Sequence, residues 1–439
     1  MSKVIKGLAA FLVLTAACGG ASAQKPAAAT PQQATKLTLA QAERIGIQHN
    51  PNISVARLLE LAQAQVTREV RSAELPTATG DLTAVGSHEN SRITAGLLNN
   101  PSVYDRAAGG LSVSQLITDF GRSHRLVQSA KLNAKAQLDT ERATEQEITL
   151  AVDQAFYQVL AAQAVLNVAR QTVAARQATV DEISALAASK LKSDLDLSFA
   201  NVELSKARML LLDAQNADAS SMASLDAILG SERDEQYALV DETPNNPQVA
   251  PDDAEGMVQL AFRSRPDLAA LQDSSEAARQ YSAAEHDLWR PTVSALAAVG
   301  GAPVRADQIA SSWYGAAGAN ISIPLFNGFL YNARAREADL RASAAQEQVR
   351  NLREGIARDT RTAVLNAQTA FQRIAVTQQM LNESNMALDL AQTRYKFGLS
   401  GIVELTQAQL AQTEAQIAFF NARYAYQTAL AMVRFEAGQ

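Results

Sequence analysis

The sequence predicts a mostly α-helical chain with a minority of membrane-length β-strands, built from one unit used twice: a strand pair followed by a long antiparallel helical hairpin. Three observations carry this reading: an internal repeat, heptad patterning in the long segments, and alternating patterning in four short ones. In the repeat, His49-Asn50-Pro51-Asn52-Ile53 is echoed by Ser264-Arg265-Pro266-Asp267-Leu268, and Glu74-Leu75-Pro76-Thr77 by Trp289-Arg290-Pro291-Thr292, both 215 positions later. Asp119-Phe120-Gly121 against Phe326-Asn327-Gly328, and Leu204 against Leu410, follow at a slightly smaller offset. Units this long exceed the roughly 20 to 50 residues of solenoid repeats, so the duplication implies a quasi-symmetric architecture and points away from an enzyme.

Met1 to Ala23 has the layout of a secretory signal: Lys3 and Lys6, an apolar run from Gly7 to Ala17, and Ala21-Ser22-Ala23 before Gln24. The one cysteine, Cys18, lies inside this region, so no intramolecular disulfide is available. Leu14-Thr15-Ala16-Ala17-Cys18-Gly19 resembles a bacterial lipoprotein box, with Thr15 departing from its usual leucine. Cys18 is therefore either a lipidation site or part of a discarded peptide. Residues 24–36 read as a flexible tether, 37–243 as the first repeat, 244–252 as a linker around Pro244, Pro247 and Pro251, and 253–439 as the second repeat.

Leu37-Thr38-Leu39-Ala40-Gln41-Ala42 opens a helix with Thr38 as its cap, Asn50-Pro51 interrupts it, and a second helix runs from about Ile53 to Ser72. Beyond Pro76 the period changes. Leu82, Ala84 and Gly86 alternate with polar residues, Leu111-Ser112-Val113-Ser114 alternates again after Asn99-Asn100-Pro101, and Val293 to Val299 and Ala317 to Ile323 repeat the pattern. Each stretch suits the roughly 9 to 11 residues of a tilted membrane strand. Between about Ser123 and Ser189, Ile148, Val152, Ala155, Val159, Ala162, Leu166, Ala169, Val173, Val180 and Ile183 make a heptad seam interrupted by Arg176. The breaks Lys190-Leu191-Lys192-Ser193 and Phe397-Gly398-Leu399-Ser400-Gly401 fold each long helix back on a partner.

Aromatics are 5% of the chain and the formal charge is −6, which supplies neither a thick globular core nor a nucleic-acid surface. His49, His88, His124 and His286 lack paired ligand spacing, and no phosphate loop or nucleophile elbow is present, so no metal, cofactor or catalytic role is expected. Trp289 and Trp313, with Tyr314 and Tyr331, suit an aromatic girdle, with core packing as the alternative for either tryptophan. Four strands cannot close a membrane barrel, and an open edge cannot satisfy its backbone in hydrocarbon. Two chains would give eight strands and a filled interior, three would give twelve and a passage, so conduction favours a trimer.

The motif set resembles the TolC family of outer-membrane efflux and secretion ducts across nearly all of the mature chain. The likeness rests on Leu37 to Ala42 with Asn50-Pro51, the proline at each strand entry, Phe120-Gly121 and Phe326-Asn327-Gly328 at strand exit, and Arg394-Tyr395-Lys396-Phe397-Gly398-Leu399 followed by Glu404-Leu405-Thr406-Gln407-Ala408-Gln409. It implies a homotrimer with a twelve-stranded barrel in the outer membrane, continued by an α-helical periplasmic tunnel. It further implies passive conduction in a tripartite efflux or type I secretion system, with a periplasmic adaptor (membrane fusion protein) and an inner-membrane pump of RND or ABC type. The same resemblance puts Tyr395, Glu404 and Gln407 at the pore gate, although glutamine at 407 and Ser400 replace the family's usual acid and base, and Glu404 reads equally as a solvated acid at a helix start. Asp194 and Asp196 hold the corresponding place in the first hairpin, as pore-facing or as helix-start acids; Leu191, Lys192, Gly398 and Leu399 match adaptor-contact tips. A periplasmic coiled-coil adaptor or tether without a barrel is the rival reading, and the duplicated strand pairs argue against it.

Overall fold

The computed structural model describes residues 35–86, 105–230, 237–244, 249–304 and 311–439. The signal segment with Cys18, most of the tether, His88 and the Asn99-Asn100-Pro101 loop lie outside these. The first unit contains β1 (Thr35–Leu37), α1 (Leu39–His49), α2 (Pro51–Ser72), β2 (Thr77–Val85), β3 (Arg106–Thr118), α3 (Arg122–Ala188) and α4 (Asp194–Leu229). After β4 (Tyr237–Leu239), the order repeats as α5 (Ala254–Ser264), α6 (Pro266–His286), β5 (Thr292–Val304), β6 (Trp313–Ser322), α7 (Leu330–Lys396) and α8 (Ile402–Glu436). Thr35 and Lys36 correct the expected tether: they belong to β1, which pairs in parallel with β4. A three-residue strand has too little pattern to be seen without its partner.

Local chemistry explains the shared boundaries. Thr38 caps α1 through a capping box, accepting from the Gln41 N–H while the Gln41 side chain accepts from the Thr38 N–H. Asn50 ends α1 in extended geometry and caps α2, its Oδ1 accepting from the Asn52 N–H at 2.9 Å, with Pro51 at the first helical position. Arg265-Pro266 forms the same break between α5 and α6. Each hairpin then returns to its own break. Gly230, at φ +74° after α4, lies so close to α1 that an added Cβ would sit 2.5 Å from the His49 carbonyl oxygen; Gly438, also at φ +74°, would meet the Ser264 carbonyl carbon at 2.8 Å. Asn50 Nδ2 donates to the Ile228 carbonyl at 2.9 Å, and Ser264 Oγ to the Ala437 carbonyl at 2.6 Å.

The strand exits align differently from the sequence landmarks. Phe120 and Gly121 both have positive φ, and so do Gly328 and Phe329. The equivalent pairs are therefore Phe120 with Gly328 and Gly121 with Phe329, one position away from the alignment suggested by the glycines. The starts and turns of the long hairpins follow this register, Arg122 with Leu330, Ala188 with Lys396 and Asp194 with Ile402, so Leu204 is not the counterpart of Leu410. A left-handed turn can be assembled with its glycine at either of two places, and matching letters missed that.

The 67 residues of α3 span on the order of 100 Å at 1.5 Å per residue. Its seam packs as expected, with Val152, Val159, Leu166, Ala169, Val180 and Ile183 buried. Arg176 does not leave the seam: it is 6% exposed, and burial lowers its pKa against a smaller opposing effect of Glu203. Another buried ionisable group, Asp153 at 4% exposure, faces Glu43 of α1, with Arg434 of α8 and Tyr157 nearby. Burial first, then the hydrogen bond to Glu43, pushes its carboxyl up to about 7. No helix among the described residues is long and apolar enough to cross a membrane.

Candidate functional site: a membrane sheet and two hairpin tips

Four strands form one antiparallel sheet in the order β2-β3-β5-β6, so the two units meet at β3–β5 and each leaves an outer edge, β2 or β6, unpaired among the described residues. The helices below follow the same order, α2 against α3, α3 against α6, and α6 against α7. The register sorts the side chains. Ala78, Gly80 and Leu82 of β2 align with Val113, Leu111 and Gly109 of β3, these with Ala297, Val299 and Gly301 of β5, and those with Ala317, Gly315 and Trp313 of β6; Gln115, Ala295 and Ala319, then Val293 and Ile321, continue the same face. The opposite face carries Thr77, Thr79, Asp81 and Thr83, then Ser112 and Ser114, then Ser294, and finally Asn320 and Ser322, with Val85, Leu116, Leu296 and Tyr314 as its large apolar or aromatic members. Apolar on one side and polar on the other is the pattern of a sheet between lipid and an aqueous lumen. The ten residues of β6 reach about 33 Å along the strand, or about 24 Å at a tilt near 45°, the height of a barrel's apolar band.

Aromatic residues mark the sheet's ends. Trp289 sits in a short 3₁₀ turn before β5, packs edge-on against Tyr331 with ring centroids 5.5 Å apart, and donates to Asn332 Oδ1 at 3.2 Å. Trp313 opens β6 exposed on the apolar face, so neither tryptophan is a buried core residue. Tyr314 departs from the expected girdle. It lies on the polar face beside Gly300 and Gly110, where a Cβ on either glycine would collide with its hydroxyl. The glycines make a flat slot for the ring, a role the sequence signals only through its Gly109-Gly110 and Gly300-Gly301 doublets.

At the far end, both long helices terminate in the same turn. The Leu191 N–H donates to the Leu186 carbonyl and Lys190 to Ala187; equivalently, Leu399 donates to Arg394 and Gly398 to Tyr395. These are Schellman caps, which place Lys190 (φ +57°) and Gly398 (φ +71°) in the left-handed region. Leu191 and Leu399 occupy equivalent places and project into solvent, 71% and 69% exposed. Lys192 instead turns back, its Nζ 4.0 Å from the centroid of the Tyr395 ring.

Tyr395 is therefore where the two hairpins touch at their tips; further along, Gln409 Nε2 donates to Thr179 Oγ1 at 3.4 Å and Tyr424 packs against α3. It is 5% exposed and packs with Val180, Ile183, Ala200, Leu204, Ile402 and Leu405, yet its hydroxyl has no hydrogen-bond partner among the described residues. Burial, with smaller contributions from Asp196 and Glu182, raises its pKa. Glu404 is not isolated: its Oε1 lies 2.9 Å from Nε of Arg394, and both side chains are about half exposed. Such a surface pair contributes about 0 to 1 kcal/mol. Gln407 is exposed one turn further along α8. Asp194 and Asp196 sit in the first turn of α4, favourable toward its dipole, while Ser193 supplies the cap by accepting from the Leu195 N–H at 3.1 Å. The pairing register makes Asp196 and Glu404 equivalent. Sequence reasoning missed Arg394, which appears only as part of the motif around Tyr395, and Ser193. No cluster of metal-ligating side chains occurs among the described residues.

A sheet with one largely apolar and one largely polar face, continued by helices on the order of 100 Å long, has the layout of a membrane duct. Residues 46–231 and 257–439 match the model of the outer membrane efflux protein family, and the chain belongs to that family and to the outer membrane. It is 24% identical to outer membrane protein OprJ of Pseudomonas aeruginosa over 422 residues, covering 94% of this chain and 87% of OprJ. Outer membrane protein TolC of Salmonella enteritidis is 26% identical over 109 residues, a quarter of this chain and 22% of TolC. The structure of the outer-membrane channel OprN superposes with a TM-score of 0.80 at 19% identity, over 91% of this chain and 89% of OprN.

Proposed function

We propose that three copies of the chain close a twelve-stranded barrel and a helical tunnel, forming the passive exit duct of a tripartite efflux or type I secretion system. The observation that carries this is the single sheet with one apolar face and two open edges: in hydrocarbon the edges must pair, and β6 of one copy against β2 of the next is the pairing that preserves strand alternation. Exposed apolar side chains on α4 (Phe199, Val202, Met209, Leu212) and on α7 (Val376, Met380, Leu390) supply complementary flanks for the same contact between copies. Each copy contributes two repeats, 37–243 and 253–439, joined by the 244–252 linker.

Leu191, Lys192, Gly398 and Leu399 would meet a periplasmic adaptor, and an inner-membrane pump of RND or ABC type would supply the energy. Asp194, Asp196, Glu404 and Gln407 would line the closing end around Tyr395, and Cys18 would carry lipid if the lipoprotein box is used. The rival reading, a periplasmic adaptor or tether, is at odds with the family match. Outer-membrane fractions should yield a trimer band that survives mild detergent and collapses to monomer on boiling. A soluble periplasmic monomer would refute the duct.

A further inference from the structure

A charged pocket of about 380 Å³ lies just below the sheet, lined by Arg122 at the start of α3, Tyr281 and Glu285 of α6, and Arg334, Glu337 and Arg341 of α7. Its three guanidinium groups outnumber its two carboxylates. Arg122 Nη2 is 3.6 Å from Glu285 Oε1, and Arg341 Nη2 is 2.7 Å from Glu337 Oε1. The third arginine has no ion pair among the described residues, and the buried Nε of Arg122 has no hydrogen-bond partner. The pocket therefore holds one excess positive charge and unspent donors.

Its side of the molecule follows from helix geometry. Arg334 and Leu352 are separated by about five full turns at 3.6 residues per turn, so they share one face of α7. Leu352 packs with Ala261 and Phe262, where α5 lies on that face, and with Leu268 of the neighbouring α6. An element laid across one face of a closed ring of helices sits outside it, because the inside is the duct; the pocket therefore opens outward, which rests on the duct reading above. Directly above it, Leu325, Phe326, Phe329 and Leu330 are exposed where β6 passes into α7, with the two phenylalanine rings edge-on at 5.7 Å. Apolar side chains over a guanidinium cluster at the periplasmic edge of the barrel match an acyl chain joined to a phosphate.

We propose that this pocket binds the phosphate of an anionic phospholipid of the periplasmic leaflet, one per chain. Arg334 supplies the free fork, Arg122 the second positive charge, and the Tyr281 hydroxyl a further donor. The test compares Arg334→Gln with Arg336→Gln, which removes the same charge about 200° round α7. Full-length protein is extracted from outer membranes, offered phosphatidylglycerol in mixed micelles, and analysed by native mass spectrometry. Wild type and R336Q should retain lipid, and R334Q about fivefold less. Arg334→Lys, which keeps the charge and loses the fork, should fall between them and serves if R334Q does not assemble. Equal retention by R334Q and R336Q overturns the proposal. So does displacement of the lipid by inorganic phosphate at equal concentration, which would make the pocket a soluble-anion site. Recovery of wild type from outer membranes as a trimer is scored separately, so failure of the duct reading is distinguishable from failure of the lipid site.

Discussion

The first and second hairpins end in the same backbone and in different chemistry. Both close with a Schellman cap, and both return to a helix break sealed by a left-handed glycine. The first tip puts Lys190 where the second has Gly398, and Lys192 where the second has Ser400. Lys192 covers Tyr395, which belongs to the other hairpin, whereas Glu404 is held by Arg394 within its own hairpin. The Lys192 cover has no counterpart at Ser400 of the second tip, while the second hairpin reaches the first through Tyr395 and through Gln409, whose Nε2 donates to Thr179 Oγ1 at 3.4 Å. The difference suggests that opening begins by releasing Lys192 from Tyr395, and the two tips should move unequally.

The largest effect should come from what the halves share. Gly230→Ala or Gly438→Ala forces a side chain into a left-handed residue and against a neighbouring backbone, and each should destabilise the protein by about 2 to 4 kcal/mol. Thermal unfolding monitored by circular dichroism would check this; a change below about 0.5 kcal/mol in both would mean that the breaks are not rigid junctions.

Next comes the side chain that separates them. Tyr395→Ala should cost about 3 kcal/mol through the cavity between the hairpins, whereas Tyr395→Phe should leave stability within about 0.5 kcal/mol because the hydroxyl has no partner among the described residues. If Y395F leaves stability unchanged but raises conductance, the hydroxyl bonds between copies at the gate. Lys192→Gln should cost about 0.5 to 1 kcal/mol, and a cost equal to that of Ser400→Ala would erase the asymmetry between tips.

A smaller, pH-dependent contrast lies at the first unit's α1–α3 contact. The Asp153 carboxyl is raised from 3.8 to about 7 in the folded state, so the folded protein binds this proton more tightly than the unfolded chain does. Its contribution is fully present below about pH 4 and is lost as pH rises toward and through 7. Asp153→Asn, which keeps the side chain uncharged, should flatten the fall in stability between pH 5 and 8. An unchanged melting profile in D153N would show that the carboxyl does not titrate there.

Much of this was legible in the sequence, for identifiable reasons. The helix boundaries at Asn50-Pro51 and Arg265-Pro266 were visible because proline acts locally, and the long helices because a heptad seam accumulates signal over dozens of residues. The strand faces were visible because a period of two is short enough to read in ten residues. The pairing of β1 with β4 was not, since each strand has only three residues and its partner is some 200 positions away. The alignment of Phe120-Gly121 with Gly328-Phe329 was obscured because position and residue type disagree. At the candidate site, Tyr395 was found through its motif, while its isolated hydroxyl, the Lys192 cover and the Arg394 pair depend on the approach of separate helices. Glycines 230 and 438 look like ordinary helix stops until the carbonyl opposite each one is seen.

Single-channel recording in planar bilayers tests the central claim most directly. A duct carrying Asp196 and Glu404 at equivalent positions should give discrete conductance steps with a preference for cations, and the preference should fall in Glu404→Gln and fall further when Asp196→Asn is added. Absence of conductance, or selectivity unchanged in the double variant, would contradict it.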